Sequence, residues 1–165
     1  MVAFGQKMCY NIGNKELRYC FHMFFGEFNH QIDDNNRIRI PTQVKNELGS
    51  TFYMAKGLDG VINVLPASFV AAQIDKLQSC ISEFDEDEQE ALLEYTSSVF
   101  EVAEDKHGRV RIPDILVEFA GLEKDIVTVG IGNKLSIMSK EVRESKRNKR
   151  THSENMGILN KKIKG

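Results

Sequence analysis

No stretch of the chain approaches the run of about eighteen apolar residues that a membrane-spanning helix needs. The opening residues also lack the continuous apolar segment of a secretion signal. Three scattered cysteines, Cys9, Cys20 and Cys80, have neither disulfide-framework nor zinc spacing, so a reducing compartment suits the chain. Cys20, His22 and His30 fall near one another but lack a fourth ligand at a workable spacing, which argues against a metal centre. The histidines His22, His30, His107 and His152 are dispersed, and no glycine-rich phosphate loop or serine or cysteine nucleophile motif appears. An enzyme is therefore disfavoured, and neither a cofactor nor a small-molecule substrate is expected. An excess of positive charge is missing too. The formal net charge is -2, so any contact with nucleic acid has to come from a local patch or from assembly.

What is present is a motif used twice. Asp33-Asp34-Asn35-Asn36-Arg37-Ile38-Arg39-Ile40-Pro41 returns as Asp105-Lys106-His107-Gly108-Arg109-Val110-Arg111-Ile112-Pro113. Gly49 follows Pro41 at the distance at which Gly121 follows Pro113. With a one-residue shift, the echo continues from Gly57–Leu65 to Gly130–Met138. Such self-similarity marks one structural unit used twice, and 165 residues suffice for one domain or two small intertwined ones. Asn35-Asn36 and His107-Gly108 are dipeptides that accept the positive φ of tight hairpin turns. Asp33 and Asp105 stand where a short carboxylate can accept hydrogen bonds from turn amides. After each turn, period-two alternation sends Ile38 and Ile40 to one face and Arg37 and Arg39 to the other. Val110 and Ile112 against Arg109 and Arg111 repeat the pattern. Two readings of the arginines stand: clamps, Arg37 on Asp33 and Arg109 on Asp105, or a displayed cationic face. The clamp accounts less well for the outer pair, Arg39 and Arg111.

The doubled Asp-x-x-x-Arg hairpin, its spacing and the opening Met23-Phe24-Phe25-Gly26-Glu27-Phe28 resemble the MraZ family. These are bacterial transcriptional regulators built from two AbrB-like swapped-hairpin units. The resemblance runs from about Met23 to about Arg143. The family's first motif usually reads Asp-x-Lys-Gly-Arg, whereas Asn35 and Asn36 stand here in place of the Lys and the Gly. Asn tolerates the left-handed region, so the turn is expected to survive without the lysine's charge. The resemblance implies an α+β fold, with a duplicated AbrB-like swapped-hairpin β-barrel unit, short helices and a helical pair between the repeats. It further implies a ring-shaped homo-oligomer on double-stranded DNA, at repeated short sites upstream of a division and cell wall gene cluster that includes the protein's own gene. The expected location is the cytoplasm, in association with the nucleoid. By resemblance the first hairpin carries the DNA contact, through Arg37 and Arg39 with Asn35 and Asn36. Asp33, Asp105, Lys106, Arg109 and Arg111 are then secondary or structural.

Along the chain, residues 1–22 do not fit the repeat plan. Because the resemblance begins at Met23, they read either as an artefact of start-codon choice or as a genuine extension. Residues 27–69 form the first unit, 70–98 the connecting helices, 99–142 the second unit and 143–165 a basic tail. Pro41-Thr42 opens a short helix through Val44 and Leu48 that Gly49 closes. Pro66 starts a longer one with Val70, Ile74, Leu77 and Ile81 on one face. The acidic run from Glu83 to Glu94 suits the start of the next helix, carrying Leu92, Tyr95 and Val99. It would also repel DNA, which places it away from a bound duplex. The tail reads as a solvated, partly disordered segment or as a sequence-independent phosphate grip. An AbrB-like antitoxin, or another protein-binding module, is the alternative to a DNA-binding regulator. Such antitoxins typically carry the hairpin unit once, ahead of a disordered toxin-binding tail.

Overall fold

A computed structural model describes residues 23–164. The fold is mixed α+β, and its repeat is visible element by element. The first half runs β1 (Glu27–Gln31), β2 (Arg37–Ile38), α1 (Thr42–Leu48), β3 (Thr51–Lys56), β4 (Ile62–Pro66) and α2 (Ala67–Cys80). After α3 (Glu86–Ser97), the series returns as β5 (Val99–Ala103), β6 (Val110–Arg111), α4 (Asp114–Ala120), β7 (Asp125–Gly130), β8 (Leu135–Ser139) and α5 (Lys140–Asn148), followed by α6 (His152–Lys164).

The prolines set the helix starts. Pro41 and Pro113 hold φ at -55° and -54° directly ahead of α1 and α4, a backbone angle already fit for a first turn. Gly49 and Gly121 close those helices with φ of 85° and 54°. The acidic run lies where a helix dipole favours it: Asp85 caps α3 by accepting from the Glu88 amide at 3.0 Å, and Glu86, Asp87 and Glu88 fill the first turn.

Strand pairing interleaves the halves. The larger sheet is antiparallel in the order β1-β7-β8-β4-β3-β5, and β2 pairs with β6 in a separate two-stranded ribbon. The first strand of each half thus adds to the β-hairpin of the other, β1 on β7 and β5 on β3. The register is symmetric about a pseudo-twofold axis. At the centre of the ribbon Ile38 faces Val110, and in the sheet Asn63 faces Ser136, each pair being the same position of the two repeats. Segments 27–69 and 99–142 therefore share one sheet.

The expected closed barrel is not formed. Strands β1 and β5 are the two edges of an open sheet. Its inner face is covered by the ribbon with α1 and α4, not by the sheet curling onto itself. That layer holds the main core: Ile38, Ile40, Val110 and Ile112 from the ribbon meet Val44 and Leu48 of α1, Leu116 of α4, and Phe52, Met54, Ile62, Val64, Leu135 and Ile137 of the sheet. Burying each such side chain is worth about 1.5–3 kcal/mol, so the apolar half of the repeated motif anchors the ribbon. Phe24 is completely buried and hydrogen-bonds Gly132 in both directions. A Cβ on Gly130 would lie 2.5 Å from the Phe24 carbonyl carbon, so only glycine permits this crossing.

On the other face, α2 packs through Val70, Phe69 and Ile74 against Ala55, Leu65 and Tyr53. Ile74, Leu77 and Ile81 are half-buried along the expected stripe. The basic stretch read from composition as a tail enters two helices. In α5, Arg143 and Arg147 both donate to Glu27 of β1, at 2.8 Å and 2.6 Å, while the apolar residues of α6 stay exposed. Among the described residues, no helix is long and apolar enough to cross a membrane.

Candidate nucleic-acid interface

The two motif loops have the same hydrogen-bond plan. In the first, the Asn36 amide donates to the Asp33 carbonyl at 3.0 Å, and the Asp33 amide to the Arg37 carbonyl at 2.9 Å. One Asp33 carboxylate oxygen accepts from the amides of Asn35 and Arg37, each at 2.9 Å, and the other from Arg37 Nε at 2.9 Å. In the second, Asp105 accepts from the amides of His107 and Arg109 at 2.8 Å and 2.9 Å, and from Arg109 Nε at 3.0 Å. The residue before each arginine takes positive φ, 57° at Asn36 and 69° at Gly108. This is a three-residue hairpin loop with a left-handed last residue, and Asn fills that position as glycine does.

The inner arginines are therefore half-buried clamps on their own loops. Partial burial works to raise the Asp33 carboxyl, but the amides of Arg37 and Asn35 and the Arg37 guanidinium outweigh it and hold it below its ordinary value. At Asp105 the Arg109 amide is the largest influence, and the carboxyl is drawn down from 3.8 to about 2. Arg109 Nη1 also lies 3.9 Å from Asp33, which links the two clamps.

The outer arginines differ from each other. Arg39 bonds the loop of the opposite repeat, whereas Arg111 lines a depression beside the first loop. Arg39 is exposed and donates through Nη1 to the His107 carbonyl at 2.9 Å. Among the described residues it has no carboxylate partner, alone of the four ribbon arginines. Arg111 lies opposite Arg37 in the ribbon, and its Nη2 contacts both oxygens of Asp114, at 3.2 Å and 3.1 Å. The Asn36 side-chain amide donates to the same carboxylate at 2.8 Å. That bond, then Arg111, holds the Asp114 carboxyl below its ordinary range. At the position of Asp114 the first repeat carries Thr42, which has no charge.

The ribbon consequently has two unlike ends. Around the second loop stand Arg39, the exposed Lys106 and Lys45, the last paired with Glu104 at 2.8 Å. A Cβ on Gly108 would lie 3.7 Å from Lys45 Nζ and 3.9 Å from Arg39 Nη1, which places both cations against that loop. Around the first loop, Asp34, Asn35, Asn36, Arg37, Arg111 and Asp114 line an open depression. Around the second loop Arg39, Lys45 and Lys106 stand against Glu104, whereas around the first loop Arg111 stands against Asp34 and its own partner Asp114.

Of the site residues expected from sequence, Arg37, Arg39, Arg109 and Arg111 come together on one ribbon with Asp33 and Asp105 beneath the inner pair. Asn35 is exposed at its loop tip, whereas Asn36 is turned toward the second repeat through Asp114 and through its carbonyl, which accepts from Ile112 at 2.8 Å. Lys45 and Asp114 were not expected. Asp114 had a local signal, an acid three residues after Arg111 on a helix start; Lys45 had none, since its partner Glu104 is far along the chain. His30 is partly buried, with Nε2 2.7 Å from Thr128 Oγ1, and burial pushes its pKa down. Cys20 and His22 lie outside the described residues.

Comparison with known proteins gives a consistent result. Residues 96–151 match the family model described as "MraZ protein, putative antitoxin-like". The protein named "Transcriptional regulator MraZ" from Clostridium acetobutylicum is 37% identical over 119 residues, which is 72% of this chain and 83% of that protein. The protein of that name from Clostridium beijerinckii is 39% identical over the same shares. The one from Dictyoglomus thermophilum is 31% identical over 144 residues, 86% of this chain and 96% of that protein.

Proposed function

The chain belongs to the MraZ family, and from that premise we propose that it is a sequence-specific DNA-binding transcriptional regulator, not an enzyme. The β2–β6 ribbon is the surface that meets the duplex. The observation that carries this reading is Arg39, exposed and free of any carboxylate among the described residues. Arginine can bond guanine O6 and N7 in the major groove with two prongs, and a two-stranded β-ribbon fits that groove. Lys106, beside Arg39, adds phosphate attraction, while Arg37 and Asn35 stand at the other end of the ribbon, around the first loop.

The halves act as two AbrB-like swapped-hairpin units. Supporting this is the exchange of β1 and β5 between the halves, with β2 and β6 pairing across the pseudo-twofold axis. A ribbon on which three of four arginines already have carboxylate partners, on a chain of net charge -2, is a weak single contact. A ring-shaped homo-oligomer offers the remedy, because contacts after the first become intramolecular on a duplex with regularly repeated sites. We place those sites upstream of the protein's own gene, in the division and cell wall gene cluster, and the protein in the cytoplasm on the nucleoid.

A gel shift with duplexes from that upstream region, carrying one repeat or several, tests the reading against an unrelated duplex. Binding should rise steeply with repeat number and exceed that to the unrelated DNA. Equal affinity for all three duplexes would overturn it.

A further inference from the structure

We propose that Asp114 masks Arg111, so that the ribbon engages DNA from the Arg39 end alone. The inference rests on the DNA-binding reading and concerns how it is limited. Its basis is a difference between positions that the pseudo-twofold axis makes equivalent. Arg39 and Arg111 leave the ribbon at matching places; Arg39 reaches across to the loop of the other repeat, and Arg111 lines the depression beside the first loop. The residue that follows Pro41 is Thr42, and the residue that follows Pro113 is Asp114. That single change puts a carboxylate within 3.2 Å of Arg111 and leaves Arg39 with only a backbone carbonyl.

The Arg111–Asp114 pair is exposed on both sides, with 66% and 60% of the side-chain surface accessible. An exposed pair of this kind is weak and a phosphate could displace it. The masking therefore comes less from the pair than from the carboxylate itself. Its charge stays on the face whether the pair is open or closed, and there it repels a phosphate as strongly as Arg111 attracts one. Two features keep it in place and ionised. The Asn36 amide holds it from the other side at 2.8 Å, and its proton affinity is reduced by both neighbours. Asp34 adds a second negative charge to the same depression. Beside Arg39 the carboxylate is Glu104, already paired with Lys45 at 2.8 Å, and the exposed Lys106 adds a further positive charge. The consequence is directional: the ribbon has a sticky end and a silent end, so a duplex is approached in one orientation instead of two.

The test replaces Asp114 with its counterpart from the first repeat. Full-length Asp114→Thr and the closer-shaped Asp114→Asn are titrated against the upstream duplex and an unrelated duplex over a range of salt. Thermal scans and chromatography confirm fold and assembly. Both variants should bind both duplexes more tightly, by roughly three- to tenfold at low salt, with the salt slope steeper by about one for each ribbon engaged. The gain should be larger for unrelated DNA, so preference for the upstream duplex should fall. Removing Arg111 as well, in Asp114→Asn with Arg111→Ala, should return affinity and slope to the parent values. If the single variants bind as the parent does, or if the gain survives loss of Arg111, the masking role is wrong. If the parent binds neither duplex even at low salt, the DNA-binding reading itself fails and the masking role with it.

Discussion

The loop of the first repeat and the loop of the second are built alike and do different things. Both clamp an arginine with an aspartate, close with a left-handed residue and bury the two apolar residues that alternate with the arginines. Yet Asp34, Asn35 and Asp114 surround one, and Lys106, Lys45 and Arg39 the other. The parts shared by the repeats are those that hold the backbone; the parts that differ point to solvent. Duplication thus fixed a symmetric scaffold, and the differences Asp34/Lys106, Thr42/Asp114 and Lys45/Val117 made its two ends unequal.

The scaffold half of the comparison is open to the largest effect. Ile40 and Ile112 are equivalent and buried, at 5% and 0% exposure. Ile40→Ala and Ile112→Ala should each cost about 2–5 kcal/mol of stability in urea unfolding. Similar losses would confirm that the two halves share one core. A near-zero loss for either would break the symmetry at the level of packing.

The outer arginines sharpen the comparison at the next level. Arg39→Ala should lose about 1–3 kcal/mol of discrimination between the upstream and unrelated duplexes, with thermal stability and oligomer size unchanged. Arg111→Ala should change discrimination little, because its charge is already offset. Equal losses from the two variants, read by competition binding, would erase the distinction between the ends.

The smallest effect concerns the clamps, where the repeats should agree. Asp33→Ala and Asp105→Ala should each lower the Tm modestly, and Arg37→Ala and Arg109→Ala should lower it to the same extent. Both clamp carboxyls are held below their unfolded value, and for Asp105 the contribution is present above pH 3.8 and is lost as the pH falls toward about 2. Thermal scans across that window should show a decline that Asp105→Asn flattens. An unchanged decline would assign acid sensitivity to other carboxylates.

Several features of the site are legible in the chain because they are local. The positive φ of Asn36 and Gly108, the alternation that buries Ile38 and Ile40, and the start of α1 and α4 behind proline all follow from neighbours in sequence. The pairing of Asp33 with Arg37 has the same origin, four residues apart on one tight loop. The placement of Asn36 is a mixed case. Its turn conformation follows from sequence, but its side chain is directed by Asp114, far away along the chain.

By itself, then, the sequence determined the repeated unit, its turn chemistry, and which face of each strand is apolar, since periodicity and loop geometry act over a few residues. The tertiary structure alone decided that the sheet stays open and that β1 and β5 change places between the halves. It also decided that Arg39 meets the loop of the other repeat and that Asn36 reaches Asp114. Those outcomes depend on antiparallel register about a pseudo-twofold axis, a contact between distant segments that no local pattern encodes. That Arg39 reaches the His107 carbonyl is settled there, whereas the carboxylate that shields Arg111 lies three residues along its own repeat.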